Sequence, residues 1–437
     1  MEKKLNLFDL ISIGVGCIVG SGVFALMGVG IAYTGRGITL ALFLAMALCV
    51  LQSIAFPLLA SIFEVDGGEY TLNSLVLPEV CSGLAVGRDI LFRAGSLAVT
   101  AIAVTQYLER LVPAIGSCTK LVSLAVLTAA FLCVLVGDKF AAKVQNMMCI
   151  FMYVALGSFV VYGVFHMDPA AYAGEAMFPN GVGGLVSAIA LMSYTCSGFQ
   201  YVVNMGKSAA NPRKNIPLAF CLSALVGAAI YGIIGFAATH TDSYAVISNM
   251  NLGGIAEMIM PNTIYLFFLI GGALFALTTS LVGAIVSGYR PLIASAKDGW
   301  LPHILTKTNR KGLPNVIFLL YLLGAVPILT GMDLGDVATI CLFPGAITKL
   351  ITNIYALQVP GKFTKQWKES KLNISVFLYQ ALLILSSIAS VILGTFYFIS
   401  NDLKGAMLGV TAGIAVYAVI VKTFGHIHIS AKEEFLE

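Results

Sequence analysis

Two stretches of the chain that are apolar enough to cross a lipid bilayer are each interrupted by glycine, at Gly20-Ser21-Gly22 and at Cys196-Ser197-Gly198. A helix that breaks inside a bilayer leaves backbone N–H and C=O groups unpaired, which is costly unless a polar group occupies the break. In membrane proteins that group is often a solute, since helix N-termini attract carboxylates and free carbonyls suit an ammonium or a cation. Breaks in both halves of one chain therefore predict a binding site near the middle of a membrane. Close packing of helices on small residues is the alternative interpretation of both breaks.

The composition excludes a soluble globular protein. Of the 437 residues 59% are hydrophobic and 11% are charged, and the mean hydropathy is +0.93, which leaves too little polar surface to cover a soluble domain. The net charge is +4, and the basic residues lie in short loops and not along one face. No nucleic-acid partner is therefore expected. The nine cysteines form no Cys-x-x-Cys pair, so no metal site is expected either.

Apolar runs of about 20 residues, bounded by charge, glycine or proline, predict an all-α integral membrane protein with twelve transmembrane helices. The runs lie near residues 8–33, 38–62, 86–112, 119–136, 144–166, 182–204, 216–238, 263–290, 313–331, 335–357, 374–399 and 405–424. The first run is too long for a signal peptide and is expected to remain as a helix.

The basic residues predict the orientation of the chain. With twelve helices, most Lys and Arg residues fall on the side of both termini, and the exceptions are Arg36, Arg110, Lys120 and Lys404. The positive-inside bias then places both termini in the cytoplasm. A multi-pass protein of the plasma (inner) membrane is expected.

A family resemblance supports this interpretation. The sequence I-V-G-S-G-V-F at residues 18–24 resembles the first-helix signature of the amino acid/polyamine/organocation (APC) superfamily of transporters. Further motifs of that superfamily lie in register at D-G-G-E-Y (66–70), G-D-K-F-A-A-K-V-Q-N (137–146), N-P-R-K-N-I-P (211–217) and Y-R-P-L-I-A-S-A-K-D-G-W-L-P (289–302).

The resemblance implies the LeuT fold within a single transporter domain over residues 1–437. In that fold helices 1–5 (8–166) and helices 6–10 (182–357) form a five-plus-five inverted repeat, and helices 1 and 6 are discontinuous. Helices 11 and 12 (374–424) are peripheral.

The resemblance also implies which residues bind the substrate. The backbone N–H groups around Ser21, Gly22 and Val23 would hold an α-carboxylate, and carbonyls near the second break would accept from an α-amino group. Two aromatic residues keep two interpretations each: Tyr194 is a lid or a packing residue, and Phe199 lines the side-chain pocket or faces lipid. The predicted substrate-binding residues are Gly20, Ser21, Gly22, Val23, Tyr194, Thr195, Cys196, Ser197, Gly198 and Phe199.

The driving ion is left open by departures from the family pattern. Met152 stands where proton-coupled relatives carry a lysine, and Gln200 stands where some carry a carboxylate. Ala276, Thr279 and Ser280 reproduce the spacing of oxygen ligands that sodium-coupled relatives of this fold use, and hard cations prefer oxygen. Hydroxyls bonded back to helix carbonyls are the alternative. Exchange without any ion also remains open.

Charged residues inside the predicted helices are scarce, which favours a neutral substrate because a cationic side chain would lack a counter-ion. Relatives nevertheless bind cations by aromatic stacking. Lys349, inside helix 10, either extends to the membrane surface or takes part in gating or proton movement. Asp89 and Arg93, four residues apart, are expected to pair.

The sequence therefore predicts a secondary active transporter that moves an amino acid, with a neutral one favoured, by alternating access as an ion-coupled symporter or an exchanger. No cofactor is expected apart from sodium as a coupling ion, and a monomer and a homodimer are both open. Transport of amines or other organocations, a channel and a membrane-embedded enzyme are the alternatives. An enzyme is disfavoured because all five histidines lie in loops or the C-terminal tail.

Overall fold

The computed structural model describes residues 4–65, 67–136, 138–170, 173–248, 250–308, 315–371 and 374–436. Two motif residues singled out above, Asp66 and Gly137, lie outside these ranges, as do the basic residues Lys3, Arg310 and Lys311. The described part is built from helices, and the prediction of an all-α protein is confirmed.

The helices follow one another closely along the chain. In the first half they are α1 (Leu7–Ile18), α2 (Ser21–Thr34), α3 (Ile38–Gln52), α4 (Ala55–Ile62), α5 (Gly68–Val76), α6 (Glu79–Leu111), α7 (Thr119–Val136) and α8 (Asp138–Phe165). In the second half they are α9 (Gly181–Thr195), α10 (Pro212–Thr239), α11 (Tyr244–Ile247), α12 (Leu252–Ile259), α13 (Asn262–Phe267), α14 (Phe275–Lys297), α15 (Val316–Thr330), α16 (Leu334–Ala356), α17 (Val359–Lys362), α18 (Thr364–Lys368), α19 (Val376–Ser400), α20 (Lys404–Phe424) and α21 (Ser430–Leu436).

Nine helical stretches in the described ranges are long and apolar enough to span a membrane. Three shorter apolar helices, Leu7–Ile18, Ile150–Phe165 and Val316–Thr330, accompany them. Together these stretches overlap all twelve predicted segments, with Gly22–Ile62 covering the end of the first and the whole of the second, so the chain is a multi-pass membrane protein. The boundaries of the inverted repeat stay a prediction.

Several predicted segments differ in detail from the helices that form. The segment predicted at 38–62 is divided at Ser53 and Ile54 into α3 and α4, and α6 begins seven residues before its predicted start. The predicted segment 263–290 contains a π-helical turn at Phe268–Leu274. Such turns are rare and concentrate at functional sites.

Helix α5 was not predicted, because it is too short to register as an apolar span. It begins where Gly67 and Gly68 take positive φ angles, +93° and +58°, which side chains other than glycine rarely adopt. The helix places Glu69, Tyr70 and Asn73 against the bundle.

Hydrogen bonds join both termini to one face of the bundle, called here the N-terminal face. Leu5 pairs with the chain at 208–210, Arg213 with Glu369, Gln366 with Phe435, and Ser430 with Asp298. On the opposite face, Arg36 donates to the Glu175 carbonyl, and the Tyr244 hydroxyl donates to the Ala32 carbonyl.

Helix α6 is 33 residues long and runs through the bundle, where it packs against α14, α15, α16 and α20. Helix α2 packs on α9, and α1 and α3 pack on α10. Of the two helices predicted to be peripheral, α20 is largely exposed, whereas α19 packs on α16 and α3.

Candidate functional site

The first break lies between α1 and α2. Helix α1 ends at Ile18, whose carbonyl accepts a hydrogen bond from the Tyr231 hydroxyl, and α2 begins at Ser21. Gly20 is extended, with φ −160°, and no described side chain caps the N-terminus of α2. The first N–H groups of α2 therefore have no partner within the helix and point into the break.

The second break is longer. Helix α9 ends at Thr195, Gly198 takes a φ of +129°, and a 3₁₀ helix follows over Phe199–Ser208. An α-helix resumes only at Pro212. The predicted helix 6 is therefore discontinuous, but its second half, expected to run to residue 204, is not an α-helix. The sequence did not indicate this extent, because the segment is as apolar as a regular span up to Val203.

The two breaks touch each other. A Cβ atom added to Gly22 would lie 2.6 Å from the Cα of Thr195, and one added to Gly198 would overlap the carbonyl of Cys17. Both glycines are thus required by the close approach of two backbones. The uncapped N-terminus of α2 and the C-terminal end of α9 consequently face the same space.

That space is a cavity of about 380 Å³, which is within the usual range for small-molecule sites. Its wall is mostly apolar and combines the two breaks with α6, α8 and α14. The residues that line it are Ile13, Gly16, Cys17, Ile18, Val19, Gly20, Gly22, Phe92, Ser96, Thr100, Met152, Tyr194, Thr195, Ser197, Gly198, Tyr201, Asn204, Met205, Thr279, Ser280, Gly283 and Ala284.

Most of the predicted site residues lie in this wall. Those that do are Gly20, Gly22, Tyr194, Thr195, Ser197, Gly198, Thr279 and Ser280. Val23, Cys196, Phe199 and Ala276 are buried behind it. The side chain of Ser21 and those of the helix 5 motif residues Val144 and Gln145 lie outside the described ones.

The two aromatic residues with open interpretations are both buried. The ring of Tyr194 lies 6.0 Å from that of Phe92, and both line the cavity. Phe199 is fully buried and packs edge-on against Phe220 at 4.8 Å. Phe199 thus faces neither lipid nor the central cavity.

Thr195 carries an unpaired polar group at the contact between the breaks. It is 2% exposed, and its hydroxyl has no hydrogen-bond partner among the described residues. Buried hydroxyls are nearly always paired, so this position calls for a water molecule or a ligand.

The predicted ion site on α14 is partly assembled. Thr279 and Ser280 line the cavity, and the Ser280 hydroxyl faces Gly20. The Thr279 hydroxyl donates to the Ala276 carbonyl at 3.0 Å, which is the back-bonded arrangement named above as the alternative.

An aromatic layer closes the cavity toward the opposite face. Phe24 contacts the rings of Tyr107 and Phe268, with centroids 6.1 and 5.9 Å away, and the Tyr107 hydroxyl donates to the Phe24 carbonyl at 3.0 Å. The N–H of Gly253 in turn donates to that hydroxyl at 3.2 Å. This layer separates the cavity from a shallower depression of about 470 Å³ on the opposite face.

Toward the N-terminal face the cavity continues between α1, the 3₁₀ helix and α14. Ile13 and Cys17 of α1, Met205 of the 3₁₀ helix and Ala284 of α14 form this part of its wall. Cys17 is exposed despite its position within the bundle. The cavity therefore extends toward the N-terminal face.

Sequence reasoning missed the contribution of α6. Phe92, Ser96 and Thr100 are spaced by four residues, so they share one face of that helix. This hydroxyl-bearing stripe within an otherwise apolar span was the signal that could have identified them. Met152 lines the cavity from α8, at the position where proton-coupled relatives carry a lysine.

The ionisable groups within the bundle lie beside the cavity. Asp89 and Arg93 pair at 2.8 Å, as predicted. The Lys349 ammonium stays inside the bundle, where Gln52, Ser53 and Gln200 accept its hydrogen bonds. Lys349 therefore does not extend to the membrane surface.

Comparisons with known proteins agree with this architecture. Residues 5–424 match the sequence profile of the family described as Amino acid permease. The chain is 24% identical over 333 residues to the branched-chain amino acid permease BcaP of Bacillus subtilis, covering 71% of this chain and 70% of that protein. It is 22% identical to the methylthioribose transporter of the same organism, with 71% and 70% covered. It is 27% identical to the chloroplastic cationic amino acid transporter 9 of Arabidopsis thaliana, with 71% and 58% covered.

Proposed function

The chain belongs to the amino acid permease family, and we propose that it moves a neutral amino acid across the plasma membrane by alternating access. The family makes it a transporter and not an enzyme. The observation that supports the substrate proposal is the cavity of about 380 Å³ into which both helix breaks open.

The two breaks suit the two charged groups that every free amino acid carries. The uncapped N-terminus of α2 offers N–H groups and the positive end of a helix dipole to the carboxylate. At the C-terminal end of α9 the carbonyls of Met192, Ser193 and Tyr194 already accept hydrogen bonds from Cys196 and Ser197. The negative end of the α9 dipole suits the ammonium. The unpaired Thr195 hydroxyl is available to either group.

The rest of the wall favours a neutral side chain. None of the described residues that line the cavity is acidic or basic, and Phe92, Met152, Tyr194 and Met205 give it an apolar character. An apolar or small polar side chain would leave no charge unpaired there. Amines without a carboxylate would leave the N–H groups of α2 unused.

The described conformation corresponds to one state of the transport cycle. The cavity extends toward the N-terminal face, and the aromatic layer of Phe24, Tyr107 and Phe268 closes the other side. With both termini in the cytoplasm, as the positive-inside bias favours, this state is open to the inside. Rearrangement of the breaks would open the opposite side.

Uptake into proteoliposomes tests the proposal. Labelled branched-chain, aromatic, small neutral and cationic amino acids, together with methylthioribose and putrescine, would be supplied with an inward sodium gradient, an inward proton gradient, internal amino acid or none of these. We expect saturable uptake of a neutral amino acid that accelerates with internal substrate. Uptake of putrescine or methylthioribose alone would overturn the amino acid proposal, and non-saturable flux would indicate a channel.

The same panel separates the modes of transport. Sodium-dependent accumulation would support the site at Thr279 and Ser280. Uptake only against internal amino acid would identify an exchanger.

A further inference from the structure

Lys349 is held in the bundle by neutral groups alone. Its ammonium donates to Ser53 Oγ at 2.8 Å, Gln52 Oε1 at 3.2 Å and Gln200 Oε1 at 3.4 Å. None of the described carboxylates forms an ion pair with it. Its three N–H bonds have three partners, but its charge has no counter-ion. An ionisable residue inside a membrane is costly and is usually functional.

The other ionisable groups around Lys349 do not supply that counter-ion. Glu69 of α5 pairs with Arg88 of α6 at 3.1 Å, and Asp89 of α6 pairs with Arg93. The other titratable groups of the described residues beside Lys349 are the Cys49 thiol of α3, the Tyr397 hydroxyl of α19 and the Cys341 thiol of α16 itself. Together, Lys349, Arg88 and Glu69 carry one excess positive charge when the lysine is protonated.

A water-sized cavity lies beside Lys349. It has a volume of about 20 Å³, enough for one water molecule, and Gln52, Arg88 and Gln200 also line it. Two buried donors of these side chains, Arg88 Nε and Gln52 Nε2, have no partner among the described residues. Water in this cavity would satisfy them, since buried donors are rarely left unpaired.

This small cavity adjoins the central one. Phe92 and Ser197 lie in the walls of both. A second cavity of about 20 Å³, lined by the Glu69–Arg88 and Asp89–Arg93 pairs, shares Gln200 with the first. Polar, water-sized spaces thus lie between the wall of the substrate cavity and the Lys349 ammonium.

We propose that Lys349 is a proton-binding site that couples proton movement to amino acid transport. The ammonium releases one proton to water in the adjoining cavity and leaves a neutral amine, and the amine takes up a proton again later in the cycle. Lysine suits this role because its ammonium can lose a proton when buried, whereas arginine stays charged. The proposal rests on the proposed function and names its driving ion.

The position of Gln200 supplies the link to the substrate. Gln200 lies two residues after Gly198, in the 3₁₀ helix that continues the second break. A rearrangement of that break therefore moves one of the three acceptors that stabilise the ammonium. Ser53, a second acceptor, lies between α3 and α4, where the helix is interrupted. The charge on Lys349 is thus sensitive to the conformation of the substrate site.

Two transport assays on the full chain in proteoliposomes test the proposal, with a trapped pH-sensitive dye to follow protons. Counterflow of the neutral amino acid identified above needs no driving ion. Accumulation in an inward gradient of one pH unit reports coupling, and one proton per substrate supports up to about tenfold accumulation. The variants are Lys349→Met and Lys349→Arg, and the matched control is Lys365→Met, an exposed lysine in α18.

We expect the wild type and Lys365→Met to accumulate substrate and acidify the lumen. Both Lys349 variants should retain counterflow, lose lumen acidification and accumulate to a ratio of about 1. The arginine variant preserves the charge and guards against misfolding of the methionine variant. Accumulation by either Lys349 variant at the wild-type level would overturn the proposal, as would wild-type accumulation of substrate without acidification of the lumen. If the wild type shows no counterflow of any amino acid, the proposed function itself is refuted.

Discussion

The two helix breaks differ in length and in what their glycines provide. At the first break only two residues, Val19 and Gly20, separate the end of α1 from the start of α2. Gly20 has an extended backbone that any residue can adopt. At the second, three residues have positive φ angles: Gly198 at +129°, Gly206 at +23° and Asn211 at +48°. The glycines of the first break avoid a clash that a side chain would cause. Gly198 avoids such a clash too, and it also has a φ angle that other residues rarely adopt.

This difference suggests a division of roles. The first break is short and presents the end of a regular helix, as a fixed anion site requires. The second extends through a 3₁₀ helix whose bonds are weaker than those of an α-helix. We therefore expect the second break to move during transport while the first holds the carboxylate. Three alanine substitutions, each adding one Cβ atom, can test this contrast.

The largest effect is expected for Gly198→Ala. The added Cβ would overlap the Cys17 carbonyl, and the φ of +129° would be strained by about 1–3 kcal/mol in addition. Counterflow should fall by more than about 100-fold. Protein level and thermal stability in detergent would be measured alongside, with Gly157→Ala as control, because a Cβ at Gly157 meets open space. Near-normal counterflow would show that the second break does not adopt this conformation.

A smaller loss is expected for Gly22→Ala, which adds a Cβ 2.6 Å from the Thr195 Cα without any unfavourable φ. Overpacking of this kind costs about 1–3 kcal/mol, so counterflow should fall roughly tenfold or more. If the carboxylate binds at this turn, the apparent KM should rise. A change in maximal rate alone would argue that the carboxylate binds elsewhere.

The smallest loss is expected for Gly20→Ala, because its Cβ would meet the Ser280 hydroxyl and no backbone atom. A loss of about fivefold is expected from the displaced hydroxyl, at the low end of the cost of overpacking. Ser280→Ala should restore counterflow in the double variant, since the Ser280 Cβ would remain at 3.5 Å, an ordinary contact. No second substitution should rescue Gly198→Ala in this way.

The Ser280→Ala variant is itself informative. If Ser280→Ala alone abolishes counterflow, and sodium accelerates counterflow by the wild type, Ser280 acts as an ion ligand. The double variant would then show no rescue of Gly20→Ala. Normal counterflow by Ser280→Ala would indicate that the hydroxyl only packs against Gly20.

The sequence predicted the approximate positions of the apolar helices, because a run of about twenty apolar residues between polar boundaries is typical of a membrane-spanning helix. It also located both breaks, because glycine beside serine is conspicuous in such a run. It could not show that the second break continues to Ser208, since Val202 and Val203 are as apolar there as in a helix. Helix α5 escaped notice because its nine residues are too few for an apolar span.

The site was predicted in part for a related reason. Local sequence marks a break, but it does not show which distant residues face it. The sequence analysis singled out Lys349 and Gln200 separately. It could not show that both contact Ser53, because Lys349 and Ser53 are 296 residues apart in the chain. The stripe of Phe92, Ser96 and Thr100 became meaningful only when α6 was seen to pass beside both breaks.

The pairing of Leu5 with the chain at 208–210 has a mechanical consequence. The Leu5 N–H donates to the Ser208 carbonyl at 3.0 Å, and the Ala210 N–H donates to the Leu5 carbonyl at 2.8 Å. The start of α1 is thus fastened to the end of the 3₁₀ helix that carries Gln200, and Gly198 contacts α1 again at Cys17. Because the two segments are attached at both places, we expect a displacement of α1 to displace Gln200 as well, which would change the surroundings of the Lys349 ammonium whenever the entrance to the cavity changes.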